Sequence, residues 1–341
     1  VPIKEVKPHP NADNLLLIEI MGWQVCTHKD TNPQVGELRV FIPPDAVLPQ
    51  ELAEQLDVVK YLKKGNRVGQ VKLRQEFSFG IAASNVWDFE VGQEVSEQLG
   101  ITKYVQPLVP NSGDQEQDHP LFTNYSHVEN WRNYPDLFTR GELVCYEEKI
   151  HGTNSKVGLI QDGDDLIYMI GSHNTRKKYV DPVEGDPKKL SLYQYPLKLV
   201  EPMLEEIRIT YHAHAVIVYG EIFGRVQDLK YGRNNELAYR AFDISVDGKF
   251  LNWQEAEDWC RKHNVEFVPI VYVGPYSEEG MKECANQNTQ LMPPESAHMS
   301  EGVIIRPQEE RYDPAFGRVI LKYKSDAYED RHAKGKGTEF A

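Results

Sequence analysis

A short apolar run that ends in a lone lysine constrains this chain more than any other feature. Leu143-Val144-Cys145-Tyr146 reads as a buried strand, and Glu148-Lys149-Ile150-His151-Gly152-Thr153-Asn154 follows almost at once. An ammonium at the rim of a buried strand is costly unless the protein uses it, and it becomes a nucleophile only after losing its proton. Gly152 would let the backbone approach a bulky ligand closely. Alone, the pattern reads equally as a strand end followed by a glycine turn. Four downstream segments repeat the arrangement: Tyr219-Gly220-Glu221-Ile222-Phe223-Gly224, Arg240-Ala241-Phe242-Asp243-Ile244, Ser300-Glu301-Gly302-Val303-Ile304-Ile305-Arg306 and Ile320-Leu321-Lys322-Tyr323-Lys324. Each sets charged or polar groups at one end of a short apolar run, the pattern of buried strands with a functional rim.

Together and in this order, the five segments resemble motifs I, III, IIIa, IV and V of the covalent nucleotidyltransferases, which include ATP-dependent DNA ligases, RNA ligases and mRNA capping enzymes. The resemblance runs from about Asn130 to Lys324. It implies a lysine that attacks the α-phosphate of ATP and expels pyrophosphate. AMP then passes to a 5′-phosphate, from which a 3′-hydroxyl displaces it. Such in-line phosphoryl chemistry asks the protein mainly to position groups and neutralise charge.

By this resemblance Lys149 is the nucleophile, Glu148 lies on the adenine side, Ile150 is a further nucleotide-binding residue, and Asn154 contacts the ribose or the 3′ end. His151 stands where most of the superfamily has aspartate. Histidine there marks the phage and kinetoplastid RNA ligases that seal duplex nicks or edit RNA. Arg176, within Ser172-His173-Asn174-Thr175-Arg176-Lys177, resembles motif Ia, which holds the ribose or an incoming phosphate. Glu221 matches a carboxylate that accepts from both ribose hydroxyls. Phe242 matches the aromatic that stacks on adenine, a contact worth about 1–3 kcal/mol, and Asp243 beside it is harder to explain as core. Glu301 matches the carboxylate that holds magnesium or manganese. Lys322 and Lys324 share one strand face and match the pair that neutralises the α-phosphate and lowers the nucleophile's pKa.

The 341 residues give length for two domains. The net charge of −14 argues against indiscriminate nucleic-acid binding. Local basic runs remain: Lys60, Lys63, Lys64, Arg67, Lys72 and Arg74 with no acid between them, Arg176-Lys177-Lys178, and Arg331, Lys334 and Lys336 in the tail. Beside nucleotide motifs they read as a phosphate track, the first run being the candidate nucleic-acid surface. No apolar run approaches a membrane span of about 20 residues, and no basic-then-apolar signal segment is visible. Val1 is not a start methionine, so a few residues are expected to be missing. Cys26, Cys145, Cys260 and Cys284 have no metal-type spacing and read as free thiols of the cytoplasm or another reducing compartment.

Residues 1–106 read as all-β, with the short strands and turns of an oligonucleotide-binding (OB) barrel. His9-Pro10-Asn11-Ala12-Asp13 resembles the opening of tRNA-binding-type barrels; as bare sequence it reads equally as a turn. Residues 107–128, polar and proline-rich, read as a linker. Residues 129–341 read as the catalytic domain. The expected class is α+β, an N-terminal OB-type barrel followed by antiparallel sheets with flanking helices. Helical spacing recurs from Leu190 to Tyr211, and Asn252 with Glu255 reads as a capping box. His212 and His214 have strand spacing, with a structural role outweighing zinc, and Glu309-Glu310 reads as a solvated turn.

The chain ends soon after Lys324, whereas DNA ligases and capping enzymes carry a further barrel there. A barrel placed first resembles the RNA ligases with an N-terminal OB module and a nick-sealing catalytic core. The expectation is therefore a monomeric, ATP-dependent ligase of RNA or RNA-containing duplexes, away from membranes. Its N-terminal module grips RNA or orients pyrophosphate. The alternatives are a DNA ligase, a guanylyltransferase, or a non-catalytic RNA-binding adaptor.

Overall fold

A computed structural model of the chain describes residues 1–104, 113–180, 191–233 and 235–333. Lys334 and Lys336 of the basic tail, Leu190 and the start of the expected linker lie outside the described residues. The chain divides into two compact units: Val1–Leu108 with Trp131–Pro135, and Val109–Asn130 with Asp136–Ala341.

The first unit contains β1 (Glu5–Pro8), β2 (Leu15–Ile20), β3 (Trp23–His28), β4 (Arg39–Ile42), β5 (Ala46–Val47), β6 (Gln70–Leu73), β7 (Glu76–Phe79), β8 (Ile81–Ser84) and β9 (Thr102–Lys103). β1, β2 and β3 form a three-stranded sheet, and β4 pairs with β8, β5 with β9 and β6 with β7. The all-β expectation missed one helix, α1 (Gln50–Gln55), whose Leu52 and Ala53 pack on Val40, Ile42, Leu48 and Val68. The His9-Pro10-Asn11 segment serves as a clamp. His9 Nε2 lies 3.1 Å from the Leu73 carbonyl, and Asn11 Nδ2 donates to the Arg74 carbonyl at 3.0 Å. That fixes the β6–β7 turn, where Arg74 and Gln75 take φ of 46° and 77°. The returning segment is also held: Trp23 Nε1 donates to Asn133 Oδ1 at 2.9 Å, and the Arg132 guanidinium lies over Trp23 and Phe79.

The second unit contains β10 (Glu129–Asn130), β11 (Leu143–Lys149), β12 (Thr153–Asp162), β13 (Asp165–Ser172), β14 (Arg176–Lys177), β15 (Ala215–Gly224), β16 (Leu237–Val246) and β17 (Lys249–Phe250). β18 (Ile270–Pro275), β19 (Gly302–Pro307), β20 (Tyr312–Asp313), β21 (Gly317–Arg318) and β22 (Leu321–Lys324) follow. One sheet has the order β10-β22-β19-β11-β18, the other β14-β13-β12-β15-β16-β17. All pairings are antiparallel except the short β10–β22 pair. Strands β12 and β15 are buried on both faces, which explains their nearly continuous apolar runs. One face of the six-stranded sheet packs on α2 (Leu197–Tyr211) and α3 (Trp253–Lys262), through Val157, Val216, Val218 and Ile244 against Val200, Leu204, Ile207 and Ala256. The other face carries Tyr219 and Asp243, and Arg306 of the five-stranded sheet reaches Asp243 there.

Four local expectations are corrected. Residues 113–128 are no free linker: Phe122 is buried against Gly158 and Gly171, and the Tyr125 hydroxyl donates to Asp243 Oδ2 at 2.9 Å. A polar, proline-rich composition hid these two aromatic anchors. Asn252 opens α3 without a capping hydrogen bond; its Oδ1 instead accepts from the Glu310 backbone at 2.7 Å. His212 closes α2 with φ 51°, so it and His214 do not share a strand face. Glu310 is no solvated turn residue but joins a buried ion network.

Candidate active site

Backbone register sets the site. Lys149, the last residue of β11, pairs with Gly302 of β19, which pairs with Lys324 of β22. Gly302 has φ +147°, and a Cβ on it would meet the Tyr323 carbonyl at 2.0 Å. Only glycine lets the two strands come this close while Glu301 points back at Lys149. Lys149 Nζ then lies 2.8 Å from Glu301 Oε1. Burial alone would raise the Glu301 pKa, but Lys149, with help from Lys324, outweighs it and holds this carboxyl well below the usual range.

Lys322 and Lys324 share the strand face that alternation predicts, and both act electrostatically on this cluster. Desolvation, then the charges of Lys149 and Lys324, push Lys322 down to about 8 against the pull of Glu301 and Glu129. A lysine facing two others is prepared for an anion between them.

Across from this strand pair, β12 and β15 set Asn154 opposite Glu221. Burial pushes Glu221 up to about 8, Lys149 opposes the shift and Glu301 adds to it, and the Gly152 N–H bonds the carboxylate. Gly152 serves a different purpose from the expected one. A Cβ on it would meet the Ile222 carbonyl at 2.3 Å and Glu221 Cγ at 2.9 Å, so the close approach is to β15 rather than to a ligand. Asn154 Oδ1 is buried with no hydrogen-bond partner among the described residues. An orphaned acceptor beside a carboxylate fits a hydroxyl-bearing ligand such as a ribose.

Glu148 points to the other face of β11. Its carboxylate accepts from Thr289 Oγ1 and, at 2.8 Å, from the Gln290 backbone. Ile150 packs with Phe223, Leu229, Tyr231 and Tyr328, and Phe242 touches the edge of that cluster. Phe242 is the extra residue of a β-bulge: Ala241 pairs with Gly220 and Asp243 with Tyr219, leaving Phe242 unpaired. Asp243 is fully buried and meets Arg318 Nη2 at 2.6 Å and Arg306 Nη1 at 3.4 Å. Arg306 also reaches Glu147 at 3.3 Å and Glu310 at 2.9 Å. Burial pushes Glu147 up to about 7 despite Arg306. Asp243 therefore belongs to a charge network that ties the two sheets together.

His151 is enclosed: its backbone N–H donates to the Tyr231 hydroxyl at 2.7 Å, and its Nε2 lies 2.7 Å from Asp228 Oδ1. Arg176 sits on β14, the edge strand of the six-stranded sheet; its guanidinium pairs with Glu116 at 2.9 Å and bonds the Gln117 carbonyl. In the first unit, Lys60, Lys63, Lys64 and Arg74 are exposed, Lys72 lies over Phe77, and Arg67 is engaged with Asp45 at 2.6 Å and with the Tyr104 ring.

Sequence reasoning missed Asp228, Thr289 and Tyr328, which sit far along the chain from Glu148 and His151 and carry no motif, and it read Arg331 as part of a basic tail, whereas its guanidinium is engaged with Asp228. It also missed Lys156, whose buried ammonium bonds Asn124 and lies over Phe122, and which burial pushes down to about 8. Among the described residues no group of three or more His, Cys, Asp or Glu could hold a metal ion. A single carboxylate, Glu301, still suits magnesium or manganese, which keep their waters and share substrate phosphate oxygens rather than needing a protein cage.

A lysine held by a buried glutamate, backed by two further lysines on a two-sheet α+β unit, with an OB-type unit before it, defines a nucleotidyltransferase of the polynucleotide-joining class. The chain belongs to the RNA ligase family, which matches residues 142–324, and an OB-fold domain family matches residues 2–84. The enzyme thus ligates RNA. No curated protein sequence matches the chain. The fold is similar to that of Naegleria gruberi RNA ligase. The form solved with pyrophosphate has a TM-score of 0.72 at 18% identity, covering 98% of this chain and 97% of that one. An alanine variant with ATP and manganese gives a TM-score of 0.73 at 18% identity and covers 97% of each chain. Another variant, with AMP and manganese, gives the same values.

Proposed function

We propose that this RNA ligase is ATP-dependent and joins an RNA 3′-hydroxyl to a 5′-phosphate through a covalent adduct of AMP on Lys149. The carrying observation is the 2.8 Å contact between Lys149 Nζ and Glu301, with Lys322 and Lys324 acting on the same cluster. The ATP, AMP, manganese and pyrophosphate of the similar structures support the choice of nucleotide and metal.

In the first step Lys149, having lost its proton, attacks the α-phosphorus of ATP. An N–P bond forms, the α–β P–O bond breaks, and pyrophosphate leaves with the electron pair. Glu301 would hold magnesium or manganese, which when bound would supply charge neutralisation. Lys322 and Lys324 neutralise the α-phosphate. Glu221 and Asn154 take the ribose hydroxyls, Phe242 stacks on adenine, and Glu148 and Ile150 line the adenine side. In the second step an oxygen of the RNA 5′-phosphate displaces Lys149 from AMP. In the third the 3′-hydroxyl attacks that phosphate and AMP leaves.

His151 in place of aspartate supports sealing at nicks with an RNA 3′-OH strand. Arg176 receives the incoming phosphate once its contact with Glu116 is exchanged. Lys60, Lys63, Lys64, Lys72 and Arg74 offer the N-terminal unit a phosphate-facing surface, while Arg67 braces it. Four free cysteines support a reducing compartment such as the cytoplasm. Incubation with labelled ATP or GTP, followed by acid, tests the core of this reading. An acid-stable adduct with ATP is expected. Labelling by GTP alone would make the enzyme a guanylyltransferase, and no adduct with either would make it a binding protein.

A further inference from the structure

His151 is 5% exposed and both of its ring nitrogens are engaged. Nε2 lies 2.7 Å from Asp228 Oδ1. Asp228 Oδ2 accepts from Arg331 Nη2 at 2.6 Å and Nε at 3.0 Å. Nδ1 lies 3.1 Å from the Tyr328 hydroxyl and 3.7 Å from Glu301 Oε2. An ionised carboxylate only accepts, so in the neutral ring the proton belongs on Nε2 and Nδ1 accepts from the Tyr328 O–H. Tyr328 and Arg331 both belong to helix α5 (Asp326–Ala333), which follows α4 (Glu278–Ala285) in the chain.

The start of α5 is itself tied to Glu301. The Ser325 backbone donates to the Glu301 carbonyl at 2.9 Å, and Ser325 Oγ donates to the Ser300 carbonyl at 2.7 Å. Ser325 Oγ also accepts from the Tyr328 backbone at 3.2 Å. The Glu301 side chain is thus bracketed, Oε1 toward Lys149 and Oε2 toward the imidazole edge.

We propose that Asp228 and Tyr328 are positioning residues for the ligase reaction. They fix the tautomer and tilt of His151, whose unprotonated Nδ1 edge then gives Glu301 Oε2 no donor, so that the carboxylate keeps Oε1 on Lys149. The proposal rests on the catalytic reading of Lys149 and Glu301 given above. Asp228 touches neither nucleophile nor nucleotide-facing group; it acts through the ring. Arg331 anchors Asp228, so the segment after the last lysine pair becomes part of the nucleophile's support. A carboxylate on the far nitrogen of an imidazole is a general means of setting which nitrogen faces a working group.

A purely space-filling Asp228 would lower stability when changed without acting through His151. Three readouts separate the two roles. In the ligand-free and metal-free protein, 15N NMR of the imidazole should show His151 protonated on Nε2, also in Lys149→Ala, and this tautomer should be lost in Asp228→Ala. Single-turnover adenylylation of Asp228→Ala should fall by about 10- to 100-fold, with the ATP concentration for half-maximal rate changed less than about twofold. In a His151→Ala background the same substitution should cost nothing further. Tyr328→Phe should give a smaller loss with the same non-additivity. Should Asp228→Ala not fold, Asp228→Asn carries the test, since its amide cannot accept from both His151 and Arg331 as a carboxylate does. A wild-type ring protonated on Nδ1, full adenylylation by the folded Asp228 variant, or an additive loss in the His151→Ala background would overturn the proposal. If the wild type forms no adduct at all, the catalytic reading fails while the NMR result still decides how Asp228 and His151 are related.

Discussion

Glu301 Oε1 and Lys149 Nζ stand 2.8 Å apart, so the proposed nucleophile is paired with the carboxylate proposed to hold the metal. On the proposed mechanism the glutamate exchanges its lysine for another positive partner before the amine attacks the α-phosphate.

Glu301→Gln keeps the shape and removes the charge. Adenylylation should fall on the order of 10²-fold or more, with magnesium and with manganese alike. Initial rates across a metal titration check this. Recovery of the wild-type rate at high metal would show that Glu301 sets only metal affinity.

Glu221 makes the free protein sensitive to pH. Burial raises its folded value to about 8, above the unfolded 4.5. Between these values the folded state binds more protons, so this group's contribution to stability falls as pH rises through that window. Glu221→Gln should therefore raise the thermal midpoint above pH 8 and leave it nearly unchanged at pH 4.5, while weakening ATP binding. A midpoint difference that is the same at both pH values would refute the buried, protonated state.

Gly302→Ala tests the strand contact that aims Glu301. The new methyl would lie 2.0 Å from the Tyr323 carbonyl, at a backbone φ of +147°. A loss of about 3 kcal/mol or more is expected in chemical denaturation, with adenylylation lost in whatever folds.

The network around Asp243 predicts stability rather than rate effects. Asp243→Ala would leave Arg318 and Arg306 with too few buried partners, and a cost of about 3–5 kcal/mol is expected. Urea unfolding measures it. A variant as stable as the wild type would mean that Glu147 and Glu310 suffice to hold the two arginines.

Much of this site was legible because its residues end apolar runs. Lys149 ends β11, Glu301 immediately precedes β19 and Lys324 ends β22, whereas Glu221 lies inside β15, and alternation alone puts Lys322 and Lys324 on one face. Asp243 was visible as an odd acid in a strand, but its partners Arg306 and Arg318 were not, because strand order is invisible in composition. The same holds for Asp228 and Arg331, whose link to His151 is made only when the chain folds. Residues 113–128 misled for a different reason: proline and polar residues outnumber Phe122 and Tyr125, yet those two rings decide where the segment goes. In the N-terminal unit the strand pattern was readable, while Arg67 is held by Asp45 and Tyr104 and is less available than its neighbours.

The exposed lysines of that unit give a further expectation. Changing Lys60, Lys63 and Lys64 together to alanine should weaken binding to nicked duplex RNA and flatten its salt dependence, leaving Lys149 adenylylation unchanged. Slowed adenylylation with intact RNA binding would favour a pyrophosphate-orienting role for this unit.

The most direct test is intact mass spectrometry of the purified enzyme after incubation with ATP and a divalent metal. The wild type should gain the mass of one AMP residue, and Lys149→Ala should gain none. Lys149→Arg should gain none either, because a guanidinium stays protonated. An AMP mass on the alanine variant, or its absence from the wild type under every metal tried, would contradict the assignment of Lys149 as the nucleophile.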